Sequence, residues 1–390
     1  MDEDAKRYCG GWINRQPELF PWLEDVIDPV TARLERLIVI LDTLSLEAFV
    51  APPPRGRGRQ PEDRPQIARA FVAKAVLNLP TTSALIERLE IDRSLRRICG
   101  WERRSDIPSE STFSRAFAAF AAETLPERVH EHLVRDSLRG RIVGHIARDA
   151  TEIEARESPP RRPPGEPPAT PPLATPDRDP GLREEPEARQ PTRLERQRGQ
   201  SLEEMLADLP TQCDVGVKTN SKGFKESWIG YKLHLDVADG MVPISAVLTA
   251  ASTHDSQAAL PLARKSAQRV VWLYDLMDSA YDAAVLIEDI RAAGRVPIID
   301  HNTRRNTSLR AEIDGERKRR QFIRIPDPDD LRYRERTNAE RANGRLKDEF
   351  GGRTVRVRGP VKVFCHLMFG VAILAADSLL RLFSRKPQPA

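Results

Sequence analysis

The most informative stretch of this chain is residues 333–347, which read YRERTNAERANGRLK. At the 100° per residue of an α-helix, four of its polar side chains fall within an arc of about 60°. These four are Tyr333, Arg336, Glu340 and Lys347. An apolar set lies on a different face and predicts contact with a core: Ala339, Ala342, Leu346 and Phe350. The pattern predicts an amphipathic helix that holds one carboxylate in line with three groups able to bind phosphate.

The charge around this stretch is strongly positive. Residues 303–358 contain 17 Lys or Arg against 10 Asp or Glu, whereas the whole chain has a net charge of only +4. Such local basicity predicts a surface that binds a polyanion. A basic helix or loop whose charges are simply solvated explains the same composition, and this alternative stays open for the segment taken alone.

The spacing Tyr-x2-Arg-x3-Glu-x6-Lys resembles the element that defines a large group of DDE transposases from bacterial insertion sequences. In that group an RNase H-like domain carries two aspartates and this glutamate. The resemblance implies that Glu340 is catalytic, and that Tyr333, Arg336 and Lys347 hold DNA phosphates. Arginine suits that role through paired hydrogen bonds, lysine as a point charge, and tyrosine by donating a hydrogen bond or stacking on a base.

Two aspartates follow predicted strands and supply the rest of the motif. Asp149 comes after the strand 142–147 and begins the sequence DATEIEA, and Asp278 comes after the strand 270–276 and begins DSAYD. Taken singly, an aspartate in such a place is more often a turn former or a helix cap. Both sequences resemble the transposase pattern, however, and all three elements occur in the right order. The resemblance therefore implies that Asp149, Asp278 and Glu340 form one catalytic set.

Another acidic residue could be mistaken for a member of this set. Asp255 immediately precedes a predicted helix that spans residues 256–268. Aspartate is a preferred N-cap residue, so we assign Asp255 a structural role.

The order of predicted elements indicates an α/β fold. After the strand 142–147 and a long insertion come the strands 231–237 and 242–248, joined by a turn at Asp239 and Gly240. A helix, the strand 270–276, a helix at 280–293, the strand 296–299 and a final helix follow. The resemblance implies an RNase H-like mixed sheet flanked by helices and preceded by an all-α N-terminal domain.

Two domains and one insertion are predicted. Residues 1–135 show helical periodicity, and the resemblance implies that this domain helps to bind the ends of the element. Residues 136–385 would form the catalytic domain. Residues 157–200 interrupt it, with twelve prolines between Pro159 and Pro191, and composition predicts a disordered insertion.

The catalytic set predicts a metal site. Three carboxylates within a few ångströms repel one another unless cations neutralise them. Sites rich in carboxylate oxygens suit Mg²⁺, for which Mn²⁺ can substitute. The resemblance implies two ions, with Asp149 bridging both, and Asp278 and Glu340 each completing one.

The sequence also indicates the cellular compartment in which the protein is expected to act. The four cysteines, Cys9, Cys99, Cys213 and Cys365, show no paired or zinc-binding spacing, which favours a reducing cytoplasm. No signal peptide is predicted at the N-terminus. The apolar run 363–376 is too short to span a bilayer and predicts a buried core helix, so no membrane partner is expected.

The function expected from these features is that of a bacterial DDE transposase acting at the nucleoid. Its partner would be double-stranded DNA, both the terminal inverted repeats and the target, and pairing two ends implies a homodimer. It would cut a strand with metal-activated water and then join the freed 3′ hydroxyl to the target. The alternatives are a metal-dependent nuclease or resolvase of the same fold, and a catalytically silent DNA-binding protein derived from a transposase.

Overall fold

The computed structural model describes residues 30–50, 64–160, 190–219, 223–300, 307–323 and 332–384. Its N-terminal part is helical, as predicted. The helices are α1 (Ala32–Leu44), α2 (Arg64–Val76), α3 (Thr82–Ile91), α4 (Arg93–Cys99), α5 (Glu110–Ala122) and α6 (Leu125–Ser137). Side-chain oxygens of Thr31, Thr81 and Asp92 accept backbone N–H groups at the starts of α1, α3 and α4. Gly100 ends α4 in the left-handed conformation at a φ of 107°, which glycine adopts without strain.

The remaining elements alternate between strands and helices. The strands are β1 (Ile142–Glu154), β2 (Asp214–Thr219), β3 (Lys225–Ala238), β4 (Val242–Ala250), β5 (Val271–Met277) and β6 (Val296–Ile299). The helices are α7 (Arg193–Gln197), α8 (Leu202–Asp208), α9 (Ser256–Ala267), α10 (Ala284–Ala292), α11 (Thr307–Ile323), α12 (Thr337–Glu349) and α13 (Pro360–Ser384).

The strands within the described residues form one six-stranded mixed sheet. Its central order is β4, β3, β1, β5, β6, and β2 also pairs with β3. The pairs β1–β3, β3–β4 and β2–β3 are antiparallel, whereas β1–β5 and β5–β6 are parallel. Both parallel connections run through helices, as such crossovers require. This topology confirms the predicted α/β fold of RNase H-like type with an N-terminal helical region.

Strand β1 extends further than predicted. It continues to Glu154 because β3 pairs with it antiparallel from Ile146 to Glu154, past the point where its parallel pairing with β5 stops at Ala147. Asp149 therefore lies within β1, where one edge of the strand has lost its β5 partner, and not after its end. The strand β2 was not predicted, and β3 begins six residues earlier than the predicted strand at 231.

The predicted disordered insertion is shorter than expected at its C-terminal end. Its central part, residues 161–189, lies outside the described residues. Helix α7 falls inside the predicted segment, and Thr192 starts it with a capping box to Glu195. Leu194 of α7 packs with Leu260 of α9 and Leu286 of α10 in a small buried cluster. This apolar contact stabilises the end of the insertion as a helix.

Helix α13 is the centre of the main core. It packs against α1, α2, α5 and α6, and also against β4 and α12. Among the described residues it is the one helix long and apolar enough to cross a membrane, but 83% of that apolar window is buried inside the protein. The prediction of a buried core helix at 363–376 is confirmed, but the prediction that the segment is too short to span a bilayer is wrong, because the helix extends from Pro360 to Ser384. The main core contains residues from both sides of residue 135, so its packing does not test the predicted boundary between two domains. That boundary stays a prediction.

The cysteines of the described residues are buried free thiols. Burial raises the pKa of Cys99 to about 12 and that of Cys213 to about 11, and it raises the pKa of Cys365 to about 12. Cys9 lies outside the described residues. Thiols with such pKa values are poor nucleophiles at neutral pH.

Helices α12 and α13 approach closely at a glycine. A Cβ atom added to Gly370 would lie 2.7 Å from Leu346 Cδ1 and 2.8 Å from the carbonyl oxygen of Phe350. A Cβ on Gly344, in the middle of α12, would meet nothing within 4 Å. We expect Gly370→Ala to lower the free energy of unfolding by about 1–3 kcal/mol through overpacking. The matched change Gly344→Ala should raise it by up to about 1 kcal/mol, because alanine favours helix.

Urea unfolding of the two alanine variants checks this pair. Equal effects of the same sign would contradict a tight α12–α13 contact at Gly370.

His130 is buried as a neutral side chain. Its Nε2 donates to the carbonyl oxygen of Pro243 at 2.9 Å, and its Nδ1 accepts from Arg269 at 3.1 Å. Burial, and then the charge of Arg269, lower the pKa of His130 from 6.5 to about 3. Between these values the unfolded chain binds a proton that the native protein does not, so stability is lost as the pH falls below 6.5.

We expect this histidine to contribute about 2 kcal/mol to the loss of unfolding free energy between pH 7 and pH 5. The loss should shrink by that amount in His130→Gln and persist in His132→Gln, which changes an exposed neighbour. Denaturant titrations at the two pH values measure it. An unchanged loss in His130→Gln would show that His130 is not kept neutral.

Candidate active site

The two predicted catalytic aspartates lie side by side at one edge of the sheet. In the parallel pairing of β1 with β5, Ala147 lies opposite Leu276. Two residues further along the same register, Asp149 comes level with Asp278, which directly follows β5. Both side chains are half-buried. The point where the parallel pairing of β1 and β5 stops thus brings together two acids that are 129 positions apart in the sequence.

The environment of these carboxyl groups opposes their ionisation. Burial raises the pKa of Asp149 to about 6, Arg336 lowers it, and Asp278 raises it. Burial also raises the pKa of Asp278, while the N–H of Ala280, which donates to its Oδ1 at 2.9 Å, works in the opposite direction. Asp278 thus makes Asp149 harder to ionise, and a carboxyl pair of this kind attracts a cation.

Helix α12 carries the third predicted acid beside this pair. Asn343, on the same helix, donates from Nδ2 to Asp149 Oδ2 at 2.9 Å and so fixes α12 against β1. Glu340 lies almost one turn earlier and is half exposed. Its Oε1 accepts a hydrogen bond from Arg336 at 2.5 Å.

Arg336 is the positive charge shared by the acids. Burial lowers its pKa, but Tyr333, Glu340, Asp149 and Asp278 raise it overall. Its guanidinium also lies over the ring of Tyr333, 5.5 Å from the centroid. Arg336 therefore lies within electrostatic range of all three predicted catalytic carboxylates.

The predicted single helical face is broken at its N-terminal end. Helix α12 begins at Thr337, and Tyr333 and Arg336 precede it around a short 3₁₀ turn, Arg334–Arg336. Only Glu340 and Lys347 of the four polar residues lie on the helix itself. The predicted apolar face is confirmed, because Ala339, Ala342, Leu346 and Phe350 are all buried.

Lys347 is engaged by an acid of the same protein. Its Nζ donates to Glu152 Oε1 at 2.9 Å, and Lys218 of β2 lies 3.1 Å from the same oxygen. Burial raises the pKa of Glu152, but the hydrogen bonds from the two lysines outweigh it and lower the pKa to about 2. Lys218 also lies 3.9 Å from Glu226, so the two lysines are balanced by two acids in this group.

Asp255 differs in detail from the prediction. It holds the N-cap position of α9 but makes no side-chain capping hydrogen bond. Its Oδ1 instead accepts from Lys232 Nζ at 2.9 Å, because β3 carries that lysine next to the start of α9. Asp255 also raises the pKa of Asp278, so its structural role is that of an ion-pair partner at the border of the site.

The residues at this edge offer oxygen ligands of the kind that a hard divalent cation prefers, but the described residues do not form a complete metal site. No group of three His, Cys, Asp or Glu side chains in the described parts of the chain is close enough to hold a metal ion. Asp149 and Asp278 supply adjacent oxygens, while Glu340 pairs with Arg336. The buried Oδ1 of Asn343 accepts no hydrogen bond within the described residues. This donor set, all oxygen, fits Mg²⁺ or Mn²⁺ better than a thiolate-binding metal.

Sequence reasoning missed two residues that contact the acids or their strands. Asn343 lies three positions after Glu340 and so on the same helical side, which was a usable signal. Arg148 immediately precedes Asp149 and is 1% exposed, but a charged residue just after the predicted strand 142–147 gave no sign of burial.

Comparison with known proteins agrees with this arrangement. Residues 145–375 match the family model described as "Transposase DDE domain", and residues 22–119 match "Transposase domain (DUF772)". No curated protein and no solved structure gives a significant match. The first match covers more than half of the chain and includes Asp149, Asp278 and Glu340. The chain therefore belongs to the transposase DDE domain family.

Proposed function

We propose that this protein binds the terminal inverted repeats of a bacterial insertion sequence and catalyses DNA strand cleavage and strand transfer. Transposases of this family cleave and transfer DNA, and the family generally uses divalent metal ions. Within it, the chain would belong to the group with the Tyr-Arg-Glu-Lys element. It would act in the bacterial cytoplasm at the nucleoid, as a homodimer when two DNA ends are paired.

The observation that carries the proposal is the meeting of Asp149 and Asp278 where the parallel pairing of β1 and β5 stops, with Arg336 in range of both. Structural aspartates are normally paired one to one with a donor. Here burial and the charge of Asp278 raise the pKa of Asp149 at a half-open edge, which is typical of a catalytic site. A silent DNA-binding descendant would gain nothing from this repulsion.

Asp149, Asp278 and Glu340 would hold the divalent ions, Mg²⁺ or Mn²⁺. When bound, two such ions activate a water for attack on phosphorus and stabilise the leaving oxygen. Asn343 would keep the Asp149 carboxylate oriented through its 2.9 Å hydrogen bond. Arg336, which has five N–H donors, would contact the phosphate next to the cut while still neutralising the acids.

DNA would approach along the basic side of α12. Tyr333 and Arg336 stand before the helix, and Lys347 and Lys218 stand at its other end. None of these groups reads a base edge, so they would position DNA without specifying its sequence. The N-terminal helices would supply recognition of the repeats.

A cleavage and strand-transfer assay tests the proposal. The purified protein is incubated with Mg²⁺, a labelled duplex from the DNA that flanks the reading frame, and a target plasmid. We expect a nick that leaves a free 3′ hydroxyl at the repeat, followed by joining to the plasmid. Cutting without joining would indicate the nuclease or resolvase alternative. Binding without cutting would indicate the silent DNA-binding protein.

Replacement of Lys347 tests the expected phosphate contact. We expect Lys347→Ala to weaken binding to all duplexes alike and to reduce the slope of log affinity against log salt by about 0.9, because one phosphate contact is lost. Glu152→Gln removes the acid that engages Lys347 and should not reduce the slope. Affinities for repeat and random duplexes at several salt concentrations distinguish the outcomes. An unchanged slope in Lys347→Ala would mean that Glu152 alone engages the lysine.

A further inference from the structure

A buried cluster of four charged side chains lies next to the two aspartates, inside the sheet. Its members come from β1, β3, β5 and the start of β6: Arg148, Asp236, Asp275 and Arg295. Arg148 and both acids are at most 1% exposed, and Arg295 is 9% exposed. Two positive and two negative charges make the cluster formally neutral, which is the condition under which buried charges are tolerated.

Arg148 is the member that joins the strands. It makes a two-pronged pair with Asp236 of β3, with Nε–Oδ1 at 2.7 Å and NH2–Oδ2 at 2.9 Å. The same NH2 lies 3.5 Å from Asp275 of β5, and NH1 lies 3.3 Å from Met277 Sδ. One rigid guanidinium therefore spans three adjacent strands.

Its position in the sequence gives this contact a consequence for the site. Arg148 directly precedes Asp149, and Met277 directly precedes Asp278. The guanidinium thus fixes the residue next to one acid against the residue next to the other. Neighbouring strands can slide or twist relative to each other. Because the guanidinium of Arg148 is planar and its five donors have fixed directions, its contacts with β3 and β5 permit little such movement near this residue.

Stability alone is a weak reason for such a cluster. Removing charges from water costs several kcal/mol for each ion, and well-packed apolar side chains often replace buried ion pairs without loss. The cluster nevertheless has supporting hydrogen bonds: Ser266 of α9 donates to Asp236 at 2.6 Å, and the indole of Trp272 donates to Asp275 at 3.0 Å. Among the described residues, Asp275 Oδ1 and Arg295 Nε and NH1 make no hydrogen bond, whereas Arg148 and Asp236 leave no buried side-chain polar atom without a partner, so the Arg148–Asp236 part of the network is held in a defined position.

We infer that Arg148 is a positioning residue, which sets the separation of Asp149 and Asp278 for the reaction by fixing β1 against β3 and β5. The inference rests on the proposed function, because it concerns the geometry of the acids that would bind the metal ions. Arg148 itself belongs to β1 and is 1% exposed, so it would act through the strands and not by contact with DNA or metal. A displacement of about 1 Å at a catalytic centre can reduce a rate about 100-fold.

The test compares Arg148→Met with a matched buried arginine. Arg269 also has a side chain that is 1% exposed, and it pairs with Glu131. It precedes β5, whose seven residues place it about 20 Å from Asp278. Arg269→Met therefore removes a buried arginine at the opposite end of the strand. Melting temperature, affinity for repeat DNA, maximal cleavage rate and calorimetric Mn²⁺ binding are measured for both variants.

We expect Arg148→Met to lower the maximal cleavage rate about 100-fold and to weaken Mn²⁺ binding about tenfold, with unchanged DNA affinity. Arg269→Met should change melting temperature comparably but keep cleavage and Mn²⁺ binding near wild type. Arg148→Lys, which keeps the charge without the fork, should recover only part of the rate. If Arg148→Met does not fold, Asp236→Asn provides the same test, because it keeps the shape and removes the charge that holds the fork.

Two results would overturn the inference. One is an Arg148→Met or Asp236→Asn protein that is folded and cleaves at the wild-type rate. The other is an Arg269→Met protein that loses cleavage and Mn²⁺ binding to the same extent. Failure of the wild-type protein to cleave repeat DNA would instead refute the proposed function, so the two failures are distinguishable.

Discussion

Asp149→Asn should reduce DNA strand cleavage at least about 1,000-fold while leaving affinity for repeat DNA within about twofold of wild type. The amide keeps the shape of the side chain and can still accept the hydrogen bond from Asn343, so the fold is preserved. The charge that would hold the metal ions is lost. A loss of about 4 kcal/mol of transition-state stabilisation corresponds to this factor.

The matched control is Asp239→Asn. Asp239 also lies against β1, but at its other end, where it accepts hydrogen bonds from Gly144 and His145. Its replacement should leave cleavage unchanged. Gel-based cleavage and a binding titration on the same duplex measure both quantities. Cleavage by Asp149→Asn at the wild-type rate would remove Asp149 from the site.

Phe350→Ala should lower the free energy of unfolding by about 3–5 kcal/mol, the range for truncating a buried aromatic side chain. Phe350 ends α12 and is 1% exposed. Arg36 and Arg345 lie over its ring, 5.2 and 5.5 Å from the centroid, so one side chain joins α1 to the base of the helix that carries Glu340.

Phe383→Ala provides the control for Phe350→Ala. Phe383 lies near the end of α13 and is 49% exposed, so its loss should change the unfolding free energy by less than about 1 kcal/mol. Chemical denaturation of both variants measures the difference. A small effect at Phe350 would mean that α12 is held by its polar contacts and not by the core.

The fold was largely predictable from the sequence because its two parallel-paired strands each contain a short apolar run that is closely followed by an acid. The runs before Asp149 and Asp278 predicted strands whose ends meet, and the parallel register of β1 with β5 brings these residues level. The buried face of α12 was also predictable, because its apolar residues recur at the period of an α-helix.

Other features depend on partners that are distant in sequence. The full length of β1 follows from pairing with β3, which begins 71 residues after β1 ends. Strand β2 has a weak pattern of its own, and it forms because β3 offers an edge for it. The start of α12 at Thr337 reflects the packing of Tyr333 and Arg336 around the acids, which no local signal encodes.

The candidate site residues were proposed from residue type and spacing, and their contacts could not be predicted in this way. The pairing of Lys347 with Glu152, and of Asp255 with Lys232, follows from which strands are neighbours. Arg148 is a further example, because a single arginine in a strand is expected to be exposed unless its two buried acidic partners are known. Tertiary pairing decides these roles, and sequence spacing does not.

The central claim is that Asp149, Asp278 and Glu340 together hold the divalent ions, and metal-directed cleavage of the polypeptide tests it most directly. Fe²⁺ in place of Mg²⁺, with ascorbate and peroxide, produces radicals that cut the chain close to the bound ion. The account predicts cuts near residues 149, 278 and 340. Added Mg²⁺ should suppress these cuts by displacing Fe²⁺, and they should be absent in Asp149→Asn. Cuts confined to other segments, or unchanged by Asp149→Asn, would contradict it.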